Sequence, residues 1–117
     1  SLDPLRGMRL KTLACIGTRV TDLAALKGML LTTVELINTP VSDLSPLRDC
    51  PLKALHLQVC PNIKDTSVLG ELPLEALWID YDATRDESLL KAHKSLMTIN
   101  GKPVAEFWKE VASESAR

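Results

Sequence analysis

The sequence has 117 residues, which is room for one domain, and its 14 basic and 15 acidic residues leave a formal net charge of −1. This balance lacks the basic stripe that binds nucleic-acid phosphates, and no apolar run is long enough to cross a bilayer, so we expect neither nucleic acid nor a membrane as partner. Hydrophobic residues make up 45% of the chain but aromatic residues only 3%, which predicts an aliphatic core made chiefly of leucine.

A repeat of about 21 residues organises most of the chain. Its units start near residues 1, 22, 43, 65 and 86, and the third unit carries one extra residue. The fifth position of every unit is leucine, at Leu5, Leu26, Leu47, Leu69 and Leu90. A second apolar column consists of Leu13, Val34, Leu55, Leu77 and Ile99. Such self-similarity predicts one domain of stacked repeats over residues 1–99, followed by a cap over residues 100–117.

Within each unit, an alternation of leucine with other residues predicts a short strand with one buried face. No Asn-Gly or Asp-Gly turn joins neighbouring units, so we expect the strands to stack in parallel. The crossovers contain residues that break α-helices and predict 3₁₀ or irregular turns, namely Pro4, Pro46, Pro51, Pro73, Gly7, Gly28 and Gly70. After the strands, Asp82 shares the repeat position of Thr39, and Thr84 shares that of Val41.

The first unit has no cap before it, because Leu2, Leu5 and Leu10 are already in register. A solenoid end without a cap exposes an apolar face, so we expect the chain to be a fragment of a larger protein. The first strand, near residues 12–16, would then be an open sheet edge at which two copies of the chain could associate.

Three cysteines, Cys15, Cys50 and Cys60, form no CxxC pair and fall at small inward positions. We therefore predict buried free thiols, which favours a reducing, cytoplasmic compartment. His93 occupies an inward crossover position and is expected to pack there.

Aspartates recur at the start of successive crossovers, at Asp22, Asp43, Asp65 and Asp86. Their side chains are expected to accept backbone hydrogen bonds in turns and helix caps. A ladder of calcium ions is the less favoured interpretation, because each unit supplies only one such carboxylate.

The C-terminal segment predicts a capping helix over residues 103–114. Asn100 and Gly101 suit a turn, and Pro103 suits the first position of a helix. The helix would present an apolar stripe to the last strand, formed by Val104, Phe107, Trp108 and Val111. An exposed peptide-binding role for Phe107 and Trp108 is the alternative.

The repeat L-x-x-L-x-L-x-x-T-x-V-x-D resembles the short, internalin-like class of leucine-rich repeat over residues 1 to about 100. The resemblance implies an α/β right-handed solenoid with a short parallel sheet on the concave side and irregular or 3₁₀ segments on the convex side. The run Asp43-Leu-Ser-Pro-Leu47 and the ending Thr98–Glu110 are also similar to C-terminal repeat regions of large bacterial proteins, especially planctomycete ones, many with an upstream serine/threonine kinase domain. This second resemblance implies a docking segment of a signalling protein.

Strand residues between the buried ones form three stripes on the predicted concave face. The first holds Thr12, Thr33, Ala54, Ala76 and Thr98, the second Ala14, Glu35, His56, Trp78 and Asn100, and the third Ile16, Ile37, Gln58 and Asp80, with Tyr81 just beyond. Because exposed tryptophan and tyrosine often anchor protein interfaces, we predict a protein or peptide partner site at Glu35, His56, Trp78, Ile37, Gln58, Asp80 and Tyr81. The alternative is a solvated face on which Trp78 covers a small neighbour.

The sequence predicts no catalytic residue, metal or cofactor. Glu35 beside His56 could do acid–base work, but a surface ion pair is the favoured interpretation because no nucleophile or oxyanion donor set accompanies it. The chain has no Gly-rich loop, V-A-I-K, H-R-D or D-F-G motif of a protein kinase. A structural spacer without a ligand is the second candidate function.

Overall fold

The computed structural model describes residues 2–115 and contains an α/β fold with a six-stranded sheet. The strands are β1 (Thr12–Ala14), β2 (Thr33–Glu35), β3 (Ala54–Leu57), β4 (Ala76–Ile79), β5 (Thr98–Ile99) and β6 (Lys102–Pro103). The α-helices within these residues are α1 (Ala83–Ala92) and α2 (Val104–Ser115), and 3₁₀ helices span Asp3–Leu5, Ala24–Leu26, Ser45–Leu47 and Ser67–Glu71. Ser1 and the last two residues of the predicted cap lie outside the described part of the chain.

The sheet follows chain order from β1 to β6. Strands β1 to β5 are parallel, which confirms the predicted stacking, and β6 runs antiparallel to β5. The first predicted stripe is also confirmed, because Thr12, Thr33, Ala54, Ala76 and Thr98 pair in succession. No helix in residues 2–115 is long and apolar enough to cross a membrane.

One continuous core of aliphatic side chains joins the strands to the 3₁₀ helices. Fully buried residues come from both sides, with Val34, Leu55, Leu77 and Ile99 on the strands and Leu26, Leu47 and Leu69 on the crossovers. The first unit is less buried, since no described unit covers its outer side: Met8, in the same repeat position as the buried Met29, is 48% exposed. All three cysteines are buried and free, as predicted.

The 3₁₀ helices confirm the prediction for the first four crossovers. In three units the recurrent aspartate accepts a backbone hydrogen bond two residues later, from Ala24 to Asp22 at 2.8 Å, Ser45 to Asp43 at 2.9 Å and Ser67 to Asp65 at 2.8 Å. These bonds lower the pKa of Asp43 and Asp65, whose carboxylates they favour in the charged form.

The fifth crossover differs from the prediction because it is the α-helix α1. Residues 82–92 contain neither proline nor glycine, and Asp82 caps the helix by accepting hydrogen bonds from the Thr84 and Arg85 amides. Asp82 and Thr84 are therefore exposed, whereas Thr39 and Val41, at the same repeat positions of the second unit, are buried. Asp86 lies within α1 and is fully buried, and its carboxylate makes the predicted backbone bond by accepting the N–H of the capping residue Asp82 at 3.0 Å.

The C-terminal end combines a hairpin with the predicted helix. Asn100 and Gly101 form the turn, with left-handed φ angles of 53° and 81°. Pro103 pairs with Thr98 in β6, so extended backbone continues one residue further than predicted and α2 begins at Val104. Phe107 is buried and Trp108 packs against the core, which confirms the capping stripe and not an exposed anchor.

Candidate functional site: the exposed face of the sheet

The strand register places Glu35, His56 and Trp78 side by side on the exposed face of the sheet. Glu35 pairs with His56 across β2 and β3, and His56 pairs with Trp78 across β3 and β4. Each alternates with fully buried strand residues such as Val34 and Leu55, so the row points away from the core. We call these three residues the face row.

The rings of His56 and Trp78 stack face to face, with centroids 4.1 Å apart and planes 5° from parallel. On the other side of His56, its Nε2 lies 3.9 Å from Oε1 of Glu35. The stack fixes both rings against a hydrogen-bonded sheet, so a partner would meet them already ordered.

The face row is partly shielded but remains accessible. The side chains of His56 and Glu35 are 20% and 30% exposed, and Trp78 is half-buried. Within residues 2–115 the indole N–H of Trp78 donates to no acceptor, so it is free to bond to a partner. Gly101 lies next to this ring, and a Cβ at its position would be 3.9 Å from the indole nitrogen. Because glycine has no side chain, it leaves this side of the ring uncovered.

Asn100, predicted as the next member of this stripe, follows the last residue of β5 instead. Its side-chain Oδ1 accepts the backbone N–H of Ile79 at 2.8 Å, which replaces the strand partner that β4 lacks there. Asn100 has a left-handed backbone, which lets its side chain reach the amide of Ile79. Asparagine adopts this conformation more readily than most residues, so the Asn100-Gly101 pair is the sequence signal for it.

The third stripe joins the face row only in part. Ile37 and Gln58 are half-buried beside it, and Oε1 of Gln58 is buried without a partner among the described residues. Asp80 is exposed, but its carboxylate accepts the Val59 amide at 2.9 Å and so supports the turn after β3.

Tyr81 lies in a different cluster from Trp78. Its ring makes edge contacts with Phe107 and Trp108 of α2, at centroid distances of 5.3 and 5.7 Å. Burial, with the nearby carboxylates of Glu87 and Asp86, raises the pKa of its phenol. Tyr81 therefore helps to attach the capping helix and is not brought together with the face row.

The geometry of Glu35 and His56 is that of a loose surface ion pair. A separation of 3.9 Å exceeds hydrogen-bond length, so Glu35 does not orient the imidazole as the partner of a general base would. Burial raises the pKa of the Cys15 and Cys50 thiols and keeps them protonated in the core. No group of three or more His, Cys, Asp or Glu residues within 2–115 could hold a metal ion.

His93 takes the inward position that the sequence predicts. Its Nε2 lies 2.9 Å from the carbonyl oxygen of Leu69, and Ser95 donates its hydroxyl to the Leu74 carbonyl at 2.6 Å. Both contacts tie α1 and the segment after it to the preceding crossover. His93 is thus explained by packing.

Comparisons of the chain with protein-family models, with curated proteins and with solved structures find no match. The class of protein proposed below therefore rests on the repeat, the strand register and the geometry of the exposed face.

Proposed function

We propose that the chain is a non-catalytic protein-interaction module, built as a short right-handed leucine-rich-repeat solenoid. Two observations support this class. The apolar columns recur every 21 or 22 residues, and each of the first four units contributes one strand and one 3₁₀ helix at the same repeat positions. Parallel pairing then stacks the units in chain order.

The proposed binding site is the face row, and its ligand is a protein or peptide. The stacked pair of His56 and Trp78 carries the proposal, because it offers a large, ordered aromatic surface beside a carboxylate. Tryptophan is among the residues that contribute most to interface affinity. Ile37 extends the surface with an apolar side chain.

The biological setting follows from the sequence resemblance alone. A segment similar to repeat regions of bacterial signalling proteins fits a docking role beside a serine/threonine kinase domain, in the cytoplasm. We include this setting in the proposal, and the full-length gene would test it.

Substitution of Trp78 by alanine tests the face row. Immobilised wild-type chain and Trp78→Ala are exposed to a lysate of the source organism, and captured proteins are identified by mass spectrometry. Lys64→Ala, an exposed change outside the face, is the matched control, and circular dichroism establishes that each variant is folded. We expect a specific partner that Lys64→Ala retains and that Trp78→Ala binds about 30-fold more weakly, as at an interface hot spot.

Fluorescence then locates the contact directly. Trp78 and Trp108 are the two tryptophans, so Trp108→Phe leaves Trp78 as the single reporter. Titration with the captured partner should shift its emission.

The alternative is a structural spacer, and one observation favours it: the Trp78 ring already has a stacking partner in His56. Equal capture by the wild-type chain and Trp78→Ala would support the spacer and contradict the face-row site.

A further inference from the structure

A groove lies between the first and second units, away from the face row. It has a volume of about 530 Å³ and is lined by Arg6–Lys11 on one side and by Ala25 and Lys27–Leu30 on the other. This volume is within the range of pockets that bind ligands or inserted side chains. Gly7 and Gly28 both have left-handed φ angles and open space around the Cβ position, so no side chain at these two positions narrows the groove.

The groove has an exposed apolar surface. Met8 is 48% exposed and Leu30 is 71% exposed. The repeat position of Leu30 holds Arg9, Pro51, Pro73 and Lys94 in the other units. A large aliphatic side chain is therefore not required there by the fold, and with Met8 it gives the groove two exposed apolar side chains.

The rim of the groove is basic. Arg6, Arg9, Lys11 and Lys27 line it, and no described aspartate or glutamate does. Arg6 pairs with Asp3 at 3.2 Å, whereas Arg9, Lys11 and Lys27 have no ion-pair partner in residues 2–115.

Later units balance their basic residues along the same edge. Arg48 pairs with Glu71 at 3.2 Å, and Lys53, which is the counterpart of Lys11, lies 3.8 Å from Glu75. In the first two units, Thr32 stands where Lys11 would need an acidic neighbour, and Lys27 forms no ion pair with Asp49, the counterpart of Glu71. Arg9, Lys11 and Lys27, three cations without an ion-pair partner in residues 2–115, thus line the groove that also exposes Met8 and Leu30.

We propose that this groove binds an acidic peptide segment of a partner protein, with one large apolar side chain inserted between Met8 and Leu30 and flanking carboxylates on Arg9, Lys11 and Lys27. Charge complementarity selects the acidic flanks, and the recess between the units selects a single inserted side chain. The groove shares no residue with the face row, so this binding does not depend on the function proposed above.

A random library of 12-residue peptides displayed on phage tests the groove. The library is first depleted on the double variant Arg9→Glu/Lys11→Glu and then selected on the wild-type chain. We expect the recovered peptides to carry one large apolar residue flanked by aspartate or glutamate. No enrichment, or enrichment of peptides without acidic residues, would overturn the proposal.

Fluorescence anisotropy with one recovered peptide then measures each contribution. We expect binding to weaken at least tenfold in Arg9→Glu/Lys11→Glu and in Leu30→Ser, and also to weaken as salt rises from 50 to 300 mM. Arg19→Glu is the matched control, since it is an exposed charge reversal in the same unit outside the groove, and it should bind as the wild type does. An equal loss in Arg19→Glu would show a response to net charge and contradict the groove.

Two further measurements separate other occupants. Binding to phosphatidylserine vesicles that Leu30→Ser abolishes, without peptide binding, would assign the groove to a lipid surface. A concentration-dependent dimer that Leu30→Ser abolishes, again without peptide binding, would assign it to a second copy of the chain. Either result rejects the peptide.

Discussion

The turn after each of the first three strands contains one residue with a left-handed backbone. Gly17, Asn38 and Val59 occupy this position in successive units, with φ angles of 69°, 58° and 57°. Glycine and asparagine adopt this conformation readily, whereas a β-branched residue such as valine is strained in it. The Val59 side chain is 52% exposed, so core packing does not compensate, and the hydrogen bond from its amide to Asp80 is what holds the turn.

Replacement of Val59 by asparagine should therefore stabilise the protein. We expect Val59→Asn to raise the free energy of unfolding by about 1 kcal/mol, because it relieves backbone strain and leaves the amide of residue 59 in place. Urea denaturation at neutral pH measures the change. Val59→Thr, which keeps the β-branch, should show no comparable gain in the free energy of unfolding. A free energy of unfolding for Val59→Asn at or below the wild-type value would show that the backbone of Val59 is not strained.

At the scale of elements, a partly buried ion pair within α1, Arg85 with Asp86, attaches the helix to the repeats through hydrogen bonds to Thr66 and Ile63. Both Nε and Nη2 of Arg85 donate to the Asp86 carboxylate at 2.7 Å, and the Thr66 hydroxyl donates to it at 2.8 Å. Arg85 also donates to the backbone carbonyls of Ile63 and Asp80. Burying these charges is costly, and the full set of hydrogen bonds offsets the cost.

Asp86 makes stability depend on pH. Burial alone would raise its pKa, but donors from Arg85, the Asp82 amide and Thr66 outweigh burial and lower it. A carboxyl group with a folded-state pKa below the unfolded value of about 3.9 stabilises the fold above that pH. The stabilisation is lost as pH falls through the folded-state pKa.

Asp86→Asn should reduce the free energy of unfolding at pH 7 by roughly 3 kcal/mol, because it leaves the partly buried Arg85 without its counter-charge. The same variant should lose less stability than the wild type between pH 5 and pH 2. Urea denaturation across this range measures both effects. Asp22→Asn should stay within about 0.5 kcal/mol of the wild type at pH 7, since asparagine can accept the same turn hydrogen bond. Identical pH profiles for Asp86→Asn and the wild type would rule out the role of Asp86.

For the whole molecule, the strand register could be read from the sequence, because every inward leucine has a counterpart one unit away. Residue types at Leu55 and Leu77 therefore specify both the buried face and the neighbouring strand. The same spacing did not predict that the fifth crossover is an α-helix. That helix depends on local features, namely the cap by Asp82 and the absence of proline and glycine from residues 82–92, and the repeat pattern does not show them. Residue type alone does not decide burial in the first unit, because Met8 shares the repeat position of the buried Met29 but is 48% exposed.

Leu55 tests the coupling between units. It is fully buried and pairs with Val34 on one side and Leu77 on the other, so a cavity there affects both neighbouring strands. We expect Leu55→Ala to lower the free energy of unfolding by about 2–5 kcal/mol. Thermal and urea denaturation measure the loss. Ala54→Ser, on the opposite face of the same strand, should cost less than about 1 kcal/mol, and an unchanged stability in Leu55→Ala would contradict the register.

The antiparallel strand β6 gives the sheet two unlike borders. It contains two residues, one of them Pro103, which has no amide hydrogen to offer another strand. The border at β1 is longer and keeps its backbone groups available. Within residues 2–115, backbone pairing between two identical copies would therefore favour β1 against β1. A contact that uses the same border of both copies is self-complementary and pairs two molecules.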